Sequence, residues 1–338
     1  MNGSSDALRK PTIRDVAAVA GVSHGTVSRV INGGHWVSAE ARAAVEAAIR
    51  ETGYTANHAA RSLATGRSGS IAFLLTEPQH LLFADPTFAL LLRGATEALA
   101  RKGMTLVLLI ADSADERANV ERYVRAGHVD GVLLISSHES NPLLASLISA
   151  GVPTVCSGVP LGDRAHVPTV SVDEAASARE MTRYLIDRGH EHIAVITGPD
   201  DTPGGRYRLL GFREVMGDRF DPDLVEQDVY SSEAGAAAMT RLLERQPDID
   251  AVFAASDVMA VGAIAAIRRS GRRVPEDVAV AGFDDSGLAE THDPPLTTMR
   301  QPWADISATM VEMVLDVIGG TTRTSVVLPT TLVARDSA

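Results

Sequence analysis

The 338-residue sequence is poor in the features of exported and membrane proteins. It has one cysteine, Cys156, so no disulfide can form within the chain, and this is typical of a reducing compartment. Its longest uninterrupted apolar stretches, such as residues 106–111, are far shorter than the ~20 residues that a transmembrane helix needs. The first twelve residues lack the apolar core of a signal peptide. We therefore expect a cytoplasmic protein with no membrane partner.

The sequence also lacks the motifs of enzymes built on α/β folds. No G-x-G-x-x-G follows the first strand candidate, no G-x-x-x-x-G-K-[ST] is present, and no strand candidate leads into a G-x-S-x-G elbow. His190, Glu191 and His192 do not have the H-E-x-x-H spacing of a metal site. Asp284 and Asp285 resemble a catalytic acid pair, but adjacent loop residues normally point apart. We expect no catalysis, no cofactor and no metal.

The charge is unevenly distributed along the chain. The formal net charge of −12 by itself argues against a nucleic-acid partner. However, residues 1–66 hold seven basic and five acidic side chains, whereas residues 67–338 hold 24 basic and 38 acidic ones. Because an acidic surface is repelled by DNA, any nucleic-acid contact must be confined to the first segment.

Three short helices are predicted in that first segment. The first begins at the capping-box sequence TIRD and ends at Gly21, and Ser23 caps the second after a turn of helix-turn-helix length. The outward face of the second helix carries short or hydrogen-bonding side chains and no acid, which suits the major groove. A third helix is predicted from Ser38 to Gly53. The pattern favours DNA binding; a helical bundle without that function is the alternative.

Residues 13–68 resemble the DNA-binding headpiece of the LacI/GalR family. The GVS-x-x-TVSRV-x-N core, the following VS, the GY and the N-x-x-A-R-S-L stretch match in order. The resemblance implies that His24, Gly25 and Arg29 read bases, and Arg29 is the strongest candidate because a guanidinium can bond guanine O6 and N7 together. The positions that the resemblance assigns to phosphate contact and register are Thr12, Ser23, Thr26, Ser28, Asn32 and Tyr54.

Residues 57–64 match the hinge segment of the same family. The resemblance implies a helix that forms on operator DNA, in which Leu63 wedges into the minor groove and Ala60 lets the partner hinge approach. Asn57, which opens the segment, is a further expected DNA contact. The alternative is that Leu63 is an ordinary buried residue of a linker helix. The sequence TGRSGS follows directly and predicts a flexible joint.

The rest of the chain is predicted to be a duplicated α/β unit. Short apolar runs alternate with helical stretches, which indicates parallel sheets buried on both faces. The strand candidates are 71–75, 105–110, 131–136, 153–156, 193–197, 251–255 and 278–281. Three segment pairs repeat in order: SIAFLLTEP with HIAVITGP, VDGVLLISS with IDAVFAASD, and VPTVCSG with VPEDVAVAG. We predict two doubly wound lobes and a ligand-binding cleft beyond the carboxyl ends of their strands.

This body resembles the core of the LacI/GalR family, which has the fold of periplasmic sugar-binding proteins. The predicted domains are a helix-turn-helix headpiece at 1–56, a hinge and linker at 57–69, and an effector-binding and dimerisation core at 70–338. Within the core we expect a first lobe at about 70–170 and 303–330 and a second lobe at about 171–299 and 331–338.

The resemblance also implies an effector site in the cleft. It places Arg208, Asp284 and Gln301 at polar ligand contacts, which suits a sugar because charged groups grip vicinal hydroxyls. The other expected contacts are Ser256, the ring of Tyr230, the first-lobe residue Phe88 and the less certain neighbours Thr76, Ser136 and Ser171. Two alternatives stay open: Arg208 could only pair with Asp284 in an empty protein, and Tyr230 could belong to the core.

The resemblance predicts a transcriptional repressor that binds a palindromic operator as a homodimer and responds to a small effector. One headpiece lacks the area and charge for tight specific binding, so two must dock on two half-sites. No leucine heptads follow residue 328, which favours a dimer over a tetramer. A sugar is the expected effector. The alternatives are a nucleobase, a phosphosugar, a protein corepressor, or a sugar receptor without DNA binding.

Overall fold

The structure is a computed structural model that describes residues 11–31, 36–54, 66–162 and 167–338. Contacts between Cα atoms divide the chain into two compact units, residues 1–68 and 69–338, which we call the headpiece and the core. Four predicted DNA contacts lie outside the described residues: Asn32, Asn57, Ala60 and Leu63. None of the described helices is both long and apolar enough to cross a membrane.

The described part of the headpiece consists of three helices around a small apolar core. Their bounds are α1 Ile13–Ala20, α2 His24–Ile31 and α3 Ala39–Thr52. Gly21 ends α1 with a φ of 65°, a left-handed conformation that glycine adopts without strain, and so starts the tight turn into α2. The core of the three helices is made by Val16, Val27, Val30, Val45 and Ala48. The predicted helix-turn-helix is therefore present.

The first lobe is a parallel sheet of six strands with helices on both faces. The strands are β1 Ser70–Leu75, β2 Thr105–Ile110, β3 Gly131–Ile135, β4 Thr154–Ser157, β5 Thr169–Val172 and β11 Val326–Leu328, in the order β2-β1-β3-β4-β5-β11. The helices are α4 Gln79–Ala84, α5 Pro86–Arg101, α6 Ala114–Arg125, α7 Leu143–Ser149 and α13 Trp303–Ile318. Helices α5 and α13 pack on one face of the sheet, and α6 and α7 pack on the other.

The second lobe repeats this arrangement with four parallel strands. The strands are β6 Ile193–Thr197, β7 Val225–Gln227, β8 Ala251–Ala254 and β9 Ala279–Ala281, in the order β7-β6-β8-β9. The helices are α8 Glu174–Asp187, α9 Pro203–Met216, α10 Ser232–Arg245, α11 Asp257–Arg269 and the short α12 Leu288–Thr291, with 3₁₀ turns at Gly217–Arg219 and Pro222–Leu224. A two-stranded antiparallel sheet joins β10 Thr298–Arg300 to β12 Thr331–Val333.

The internal repeat of the sequence corresponds to equivalent strands. The three repeated pairs fall on β1 and β6, β3 and β8, and β4 and β9, which occupy the same places in the orders β2-β1-β3-β4 and β7-β6-β8-β9. The chain passes between the lobes three times, after β5, after β10 and after β11. The carboxyl ends of both sets of strands consequently face one cleft, which is where doubly wound sheets bind ligands.

Candidate effector cavity and nucleic-acid interface

Helix α2 presents a polar surface at its N-terminal end. His24, Gly25 and Arg29 are exposed, and the Nε of Arg29 donates to the carbonyl oxygen of Gly25 at 3.2 Å. The hydroxyl of Ser23 accepts from the backbone N–H of Thr26 at 3.1 Å, which caps the helix. These contacts leave the far end of the Arg29 guanidinium available to a base edge.

Two further predicted DNA contacts have structural roles in the headpiece. The backbone N–H and hydroxyl of Thr12 both donate to the carboxylate of Asp15 at 2.7 Å, which forms the predicted capping box of α1. Tyr54 packs against the apolar core of the three helices. Ser28, on α2, is half-buried. Contact of these residues with DNA stays a prediction.

The cleft between the lobes of the core contains a cavity with about 920 Å³ of empty space, counted out to its open mouth. Seven of the nine predicted effector contacts line it: Phe88, Ser136, Ser171, Arg208, Tyr230, Asp284 and Gln301. Both lobes contribute, so a molecule in the cavity would contact both of them.

Arg208 lies on α9 and is almost fully buried beside the cavity. Its Nε donates to Glu174 at 2.7 Å, its Nη1 donates to the carbonyl oxygen of Ala255, and its guanidinium stacks 3.6 Å from the ring centre of Phe283. Burial opposes its charge, but Glu174 and then Asp284 outweigh this and raise the pKa of Arg208. Arg208 is thus a fixed cation.

Asp284 lines the cavity in an uncommon backbone conformation, with a φ of 110°. One carboxylate oxygen accepts from the amide of Gln301 at 2.8 Å and lies 3.8 Å from Nη2 of Arg208. Burial raises the pKa of Asp284 well above its usual range, while Arg208 acts in the opposite direction. The indole N–H of Trp303 donates to the carbonyl oxygen of Asp284 at 2.9 Å, so the tryptophan ring is fixed in the cavity wall.

Tyr230 reaches the cavity because two glycines leave room for its ring. A methyl group at Gly198 would lie 2.0 Å from the tyrosine Cζ, and one at Gly204 would lie 2.9 Å from the tyrosine oxygen. Burial raises the pKa of Tyr230 to about 12. The ring therefore stays a neutral phenol, held against the turn that precedes α9.

Two predicted effector contacts, Thr76 and Ser256, do not line the cavity. The hydroxyl of Thr76 donates to the carbonyl oxygen of Ser136, so Thr76 holds the backbone of a cavity residue without lining the cavity itself. Ser256 caps α11 by accepting from the backbone N–H of Met259 at 3.2 Å and is almost fully buried. Both hydroxyls are used inside the protein, as is usual for buried polar groups.

Other residues that line the cavity were not predicted. The most polar of them are Glu77, Asp85, Thr202 and Glu174, and the largest is Trp303. Asp85 precedes a proline at the start of α5 and accepts from Thr87, the usual signature of an N-cap. The sequence could have indicated Trp303, because it is one of only two tryptophans and lies two positions after the predicted contact Gln301.

Within the described residues, no cluster of three or more histidine, cysteine or acidic side chains is arranged to hold a metal ion. Four carboxyl groups line the cavity, those of Glu77, Asp85, Glu174 and Asp284, against the single guanidinium of Arg208. This arrangement suits hydrogen bonds to hydroxyl groups and disfavours an anionic ligand.

Comparison with known proteins agrees with this geometry. Residues 12–57 match the bacterial regulatory proteins of the lacI family, and residues 182–338 match the periplasmic binding protein-like domain. The chain is 45% identical to the HTH-type transcriptional regulator CelR of Thermobifida fusca over 335 residues, covering 97% of this chain and 98% of that protein. It is 33% identical to the HTH-type transcriptional repressor CytR of Escherichia coli over 316 residues, covering 91% and 90%.

Solved structures of relatives are also similar. A complex of CelR with cellobiose has a TM-score of 0.78 at 43% identity, covering 97% of this chain and all of that one. The Lac repressor dimer bound to operator and the anti-inducer ONPF has a TM-score of 0.86 at 27% identity, covering 97% and 99%. The chain belongs to the LacI family of DNA-binding transcriptional regulators. The predicted fold, a helix-turn-helix headpiece and a two-lobed periplasmic-binding-like core, is confirmed.

Proposed function

We propose that the chain is a cytoplasmic transcriptional repressor that binds a palindromic operator as a homodimer and releases it when a neutral sugar fills the cavity. Two symmetry-related headpieces would place two α2 helices in successive major grooves. The similarity to a Lac repressor dimer on operator DNA supports this assembly, and the similarity to a CelR–cellobiose complex supports a sugar. None of this requires catalysis.

The observation that carries the proposed effector class is the composition of the cavity wall. Four carboxyl groups and one fixed guanidinium provide acceptors and donors for hydroxyl groups, while the rings of Phe88, Tyr230 and Trp303 offer apolar faces. Sugars present this combination, with hydroxyls around the edge of the ring and C–H groups on its faces.

In this proposal each part of the site has a distinct role. Asp284 and Arg208 bind vicinal hydroxyls of the sugar, Gln301 orients Asp284, and Tyr230 packs on a sugar face. The remaining proposed effector contacts are Phe88, Ser136 and Ser171 in the first lobe. The proposed DNA contacts are Thr12, Ser23, His24, Gly25, Thr26, Ser28, Arg29, Asn32, Tyr54, Asn57, Ala60 and Leu63.

The alternative effectors differ in charge and shape. A phosphosugar carries about two negative charges at neutral pH, whereas the single guanidinium among the described cavity residues, that of Arg208, already donates to Glu174 and to the carbonyl oxygen of Ala255. A nucleobase is flat and could stack on an aromatic ring of the cavity, so it is the alternative to test. A protein corepressor would leave the cavity without a role.

The test is operator affinity, measured by fluorescence anisotropy on a palindrome selected from random DNA. The panel is cellobiose, glucose, maltose, glucose 6-phosphate and hypoxanthine. We expect cellobiose to weaken operator binding by at least about tenfold, a usual strength of allosteric coupling. The Asp284→Ala variant should bind operator normally but lose the response, whereas Asp218→Ala, at an exposed acid of the same lobe, should keep it.

A response to glucose 6-phosphate or hypoxanthine alone would overturn the neutral-sugar assignment in favour of that ligand class. An undiminished cellobiose response in Asp284→Ala would show that the sugar binds elsewhere. If no compound changes operator affinity, the proposed effector class is wrong.

A further inference from the structure

Two loops from opposite lobes meet beside the cavity. His138 follows β3 in the first lobe, and its Nδ1 lies 3.0 Å from both carboxylate oxygens of Asp201, which precedes α9 in the second lobe. The backbone N–H of Glu139 donates to the carbonyl oxygen of Asp201 at 2.8 Å. The guanidinium of Arg206 donates to the carboxylate of Glu139 at 2.7 Å. Each of these three contacts joins one lobe to the other.

The other nitrogen of His138 connects this contact to the cavity. Its Nε2 lies 2.9 Å from Oε1 of Glu77, and the same carboxylate oxygen accepts the hydroxyl of Ser136. Both Glu77 and Ser136 line the cavity. One imidazole therefore joins a wall of the cavity to the opposite lobe. We call Glu77, His138, Glu139, Asp201 and Arg206 the cross-lobe junction.

His138 makes the least exposed ionic contacts of the cross-lobe junction. Its side chain is 22% exposed, and those of Glu77 and Asp201 are 11% and 35% exposed. Glu77, and more weakly Asp201, raise the pKa of His138 to about 9, so it is an imidazolium at neutral pH and donates from both nitrogens. The Arg206–Glu139 pair is 42% and 41% exposed and contributes less, because water screens exposed ion pairs.

We propose that the cross-lobe junction holds the two lobes in their closed arrangement, and that His138 is a positioning residue that couples closure to the occupant of the cavity through Glu77. This coupling rests on the proposed function, since it takes the cavity as the effector site. A ligand that contacts both lobes binds the closed arrangement. If the junction weakens, the closed population falls, and apparent affinity falls by the same factor.

Lobe closure can be tested without any ligand, because the Glu139 N–H is itself hydrogen-bonded across the lobes. The variant is Asp201→Asn, which removes the charge but keeps the size of the side chain and the backbone carbonyl that accepts this bond. We expect hydrogen exchange at the Glu139 amide of the full-length protein to accelerate by about tenfold, while the amides of strand β3 exchange as before. Unchanged exchange at Glu139 would overturn the proposal.

Two further variants separate the junction from a general loss of charge. Glu214→Gln removes an acid that pairs with Arg179 at 2.8 Å within the second lobe, and it should not alter Glu139 exchange. In a His138→Gln background, Asp201→Asn should have little further effect, because both changes break one contact. Independent, additive effects of the two substitutions would contradict the role of His138.

Exchange in the presence of cellobiose tests the coupling to the cavity. Saturating cellobiose should slow exchange at the Glu139 amide in the wild-type protein and in Glu214→Gln, because a ligand that binds the closed arrangement lowers the open population. If calorimetry shows that cellobiose binds but exchange at Glu139 does not slow, the coupling is overturned. If wild-type protein binds no cellobiose, the proposed effector is contradicted, while the junction is still decided by the exchange at Glu139.

Discussion

At the scale of single residues, the cavity contains a polar group that the protein leaves unsatisfied. Among the described residues, the hydroxyl of Ser171 is buried and has no hydrogen-bond partner, although the residue lines the cavity. Thr169, on the same strand as Ser171, also has a buried hydroxyl without a partner, but it does not line the cavity. Such groups cost stability, because folding removes them from water without replacing the lost hydrogen bonds.

This comparison predicts opposite effects on stability and on binding. Ser171→Ala should raise the free energy of unfolding of the ligand-free protein by about 1 kcal/mol, since it removes an unsatisfied hydroxyl. The same change should weaken cellobiose binding by about fivefold or more, since it also removes a proposed hydrogen bond to the sugar. Urea unfolding and calorimetry measure the two effects.

Thr169→Val is the matched control. It removes a similarly buried hydroxyl outside the cavity, so it should stabilise the protein without any change in cellobiose affinity. If Ser171→Ala behaves in the same way, Ser171 is not an effector contact.

The sequence predicted two charged residues that line the cavity, Arg208 and Asp284, but not the hydrogen-bond partner of Arg208. Resemblance placed Arg208 and Asp284, and it left open whether they only pair with each other. In the structure their closest atoms are 3.8 Å apart, whereas Glu174 lies 2.7 Å from Arg208 and is its stronger partner. Glu174 opens a different helix, 34 residues earlier, and no sequence spacing relates it to Arg208.

At the scale of elements, the turn between β6 and α9 shapes the cavity. Gly198 follows the strand and makes room for the ring of Tyr230, while Thr202 caps the helix by accepting from the backbone N–H of Gly205 at 3.2 Å. Substitution at Gly198 has a defined consequence, because the ring must move when a methyl group occupies its place.

We expect Gly198→Ala to weaken cellobiose binding by at least about tenfold, because the displaced ring loses its contact with the sugar face. Operator affinity without sugar should be unchanged. Calorimetry measures the sugar affinity, and operator anisotropy measures the DNA affinity.

Gly235→Ala is the control. A methyl group there would lie 2.3 Å from the carbonyl oxygen of Met259, between α10 and α11, so this variant should lower stability but not sugar affinity. Normal sugar binding by Gly198→Ala would contradict the placement of Tyr230.

Strands were predictable mainly where apolar residues follow one another without a break. The predicted strands 105–110 and 193–197 coincide with β2 and β6, and the five others differ by only one or two residues. The strands that were not predicted, β5, β7, β10, β11 and β12, are three or four residues long. Strands β7 and β10 contain charged residues, β5 alternates threonine and serine with valine, and the apolar runs of β11 and β12 are no longer than three residues. Their positions are set by tertiary contacts.

At the scale of the whole molecule, the two tryptophans lie in the two functional units. Trp36, between α2 and α3 of the headpiece, is 91% exposed. Trp303 lines the cavity of the core and is hydrogen-bonded to the backbone of Asp284. Since the chain has no other tryptophan, each single Trp→Phe variant makes fluorescence report on one unit alone.

If cellobiose acts on the headpiece only by weakening its binding to operator, the emissions of Trp303 and Trp36 should respond differently to the sugar. In Trp36→Phe, cellobiose should change the emission of Trp303 whether or not operator is present, because the sugar contacts the cavity directly. In Trp303→Phe, saturating cellobiose should change the emission of Trp36 only in samples that contain operator, because there it releases the headpieces from DNA. Without operator the emission should stay the same, because free headpieces already expose this ring to water. Glucose 6-phosphate, which the acidic cavity should exclude, is the control ligand. A response of Trp36 to cellobiose without operator would contradict this linkage, since it would mean that the sugar alters the free headpiece before DNA takes part.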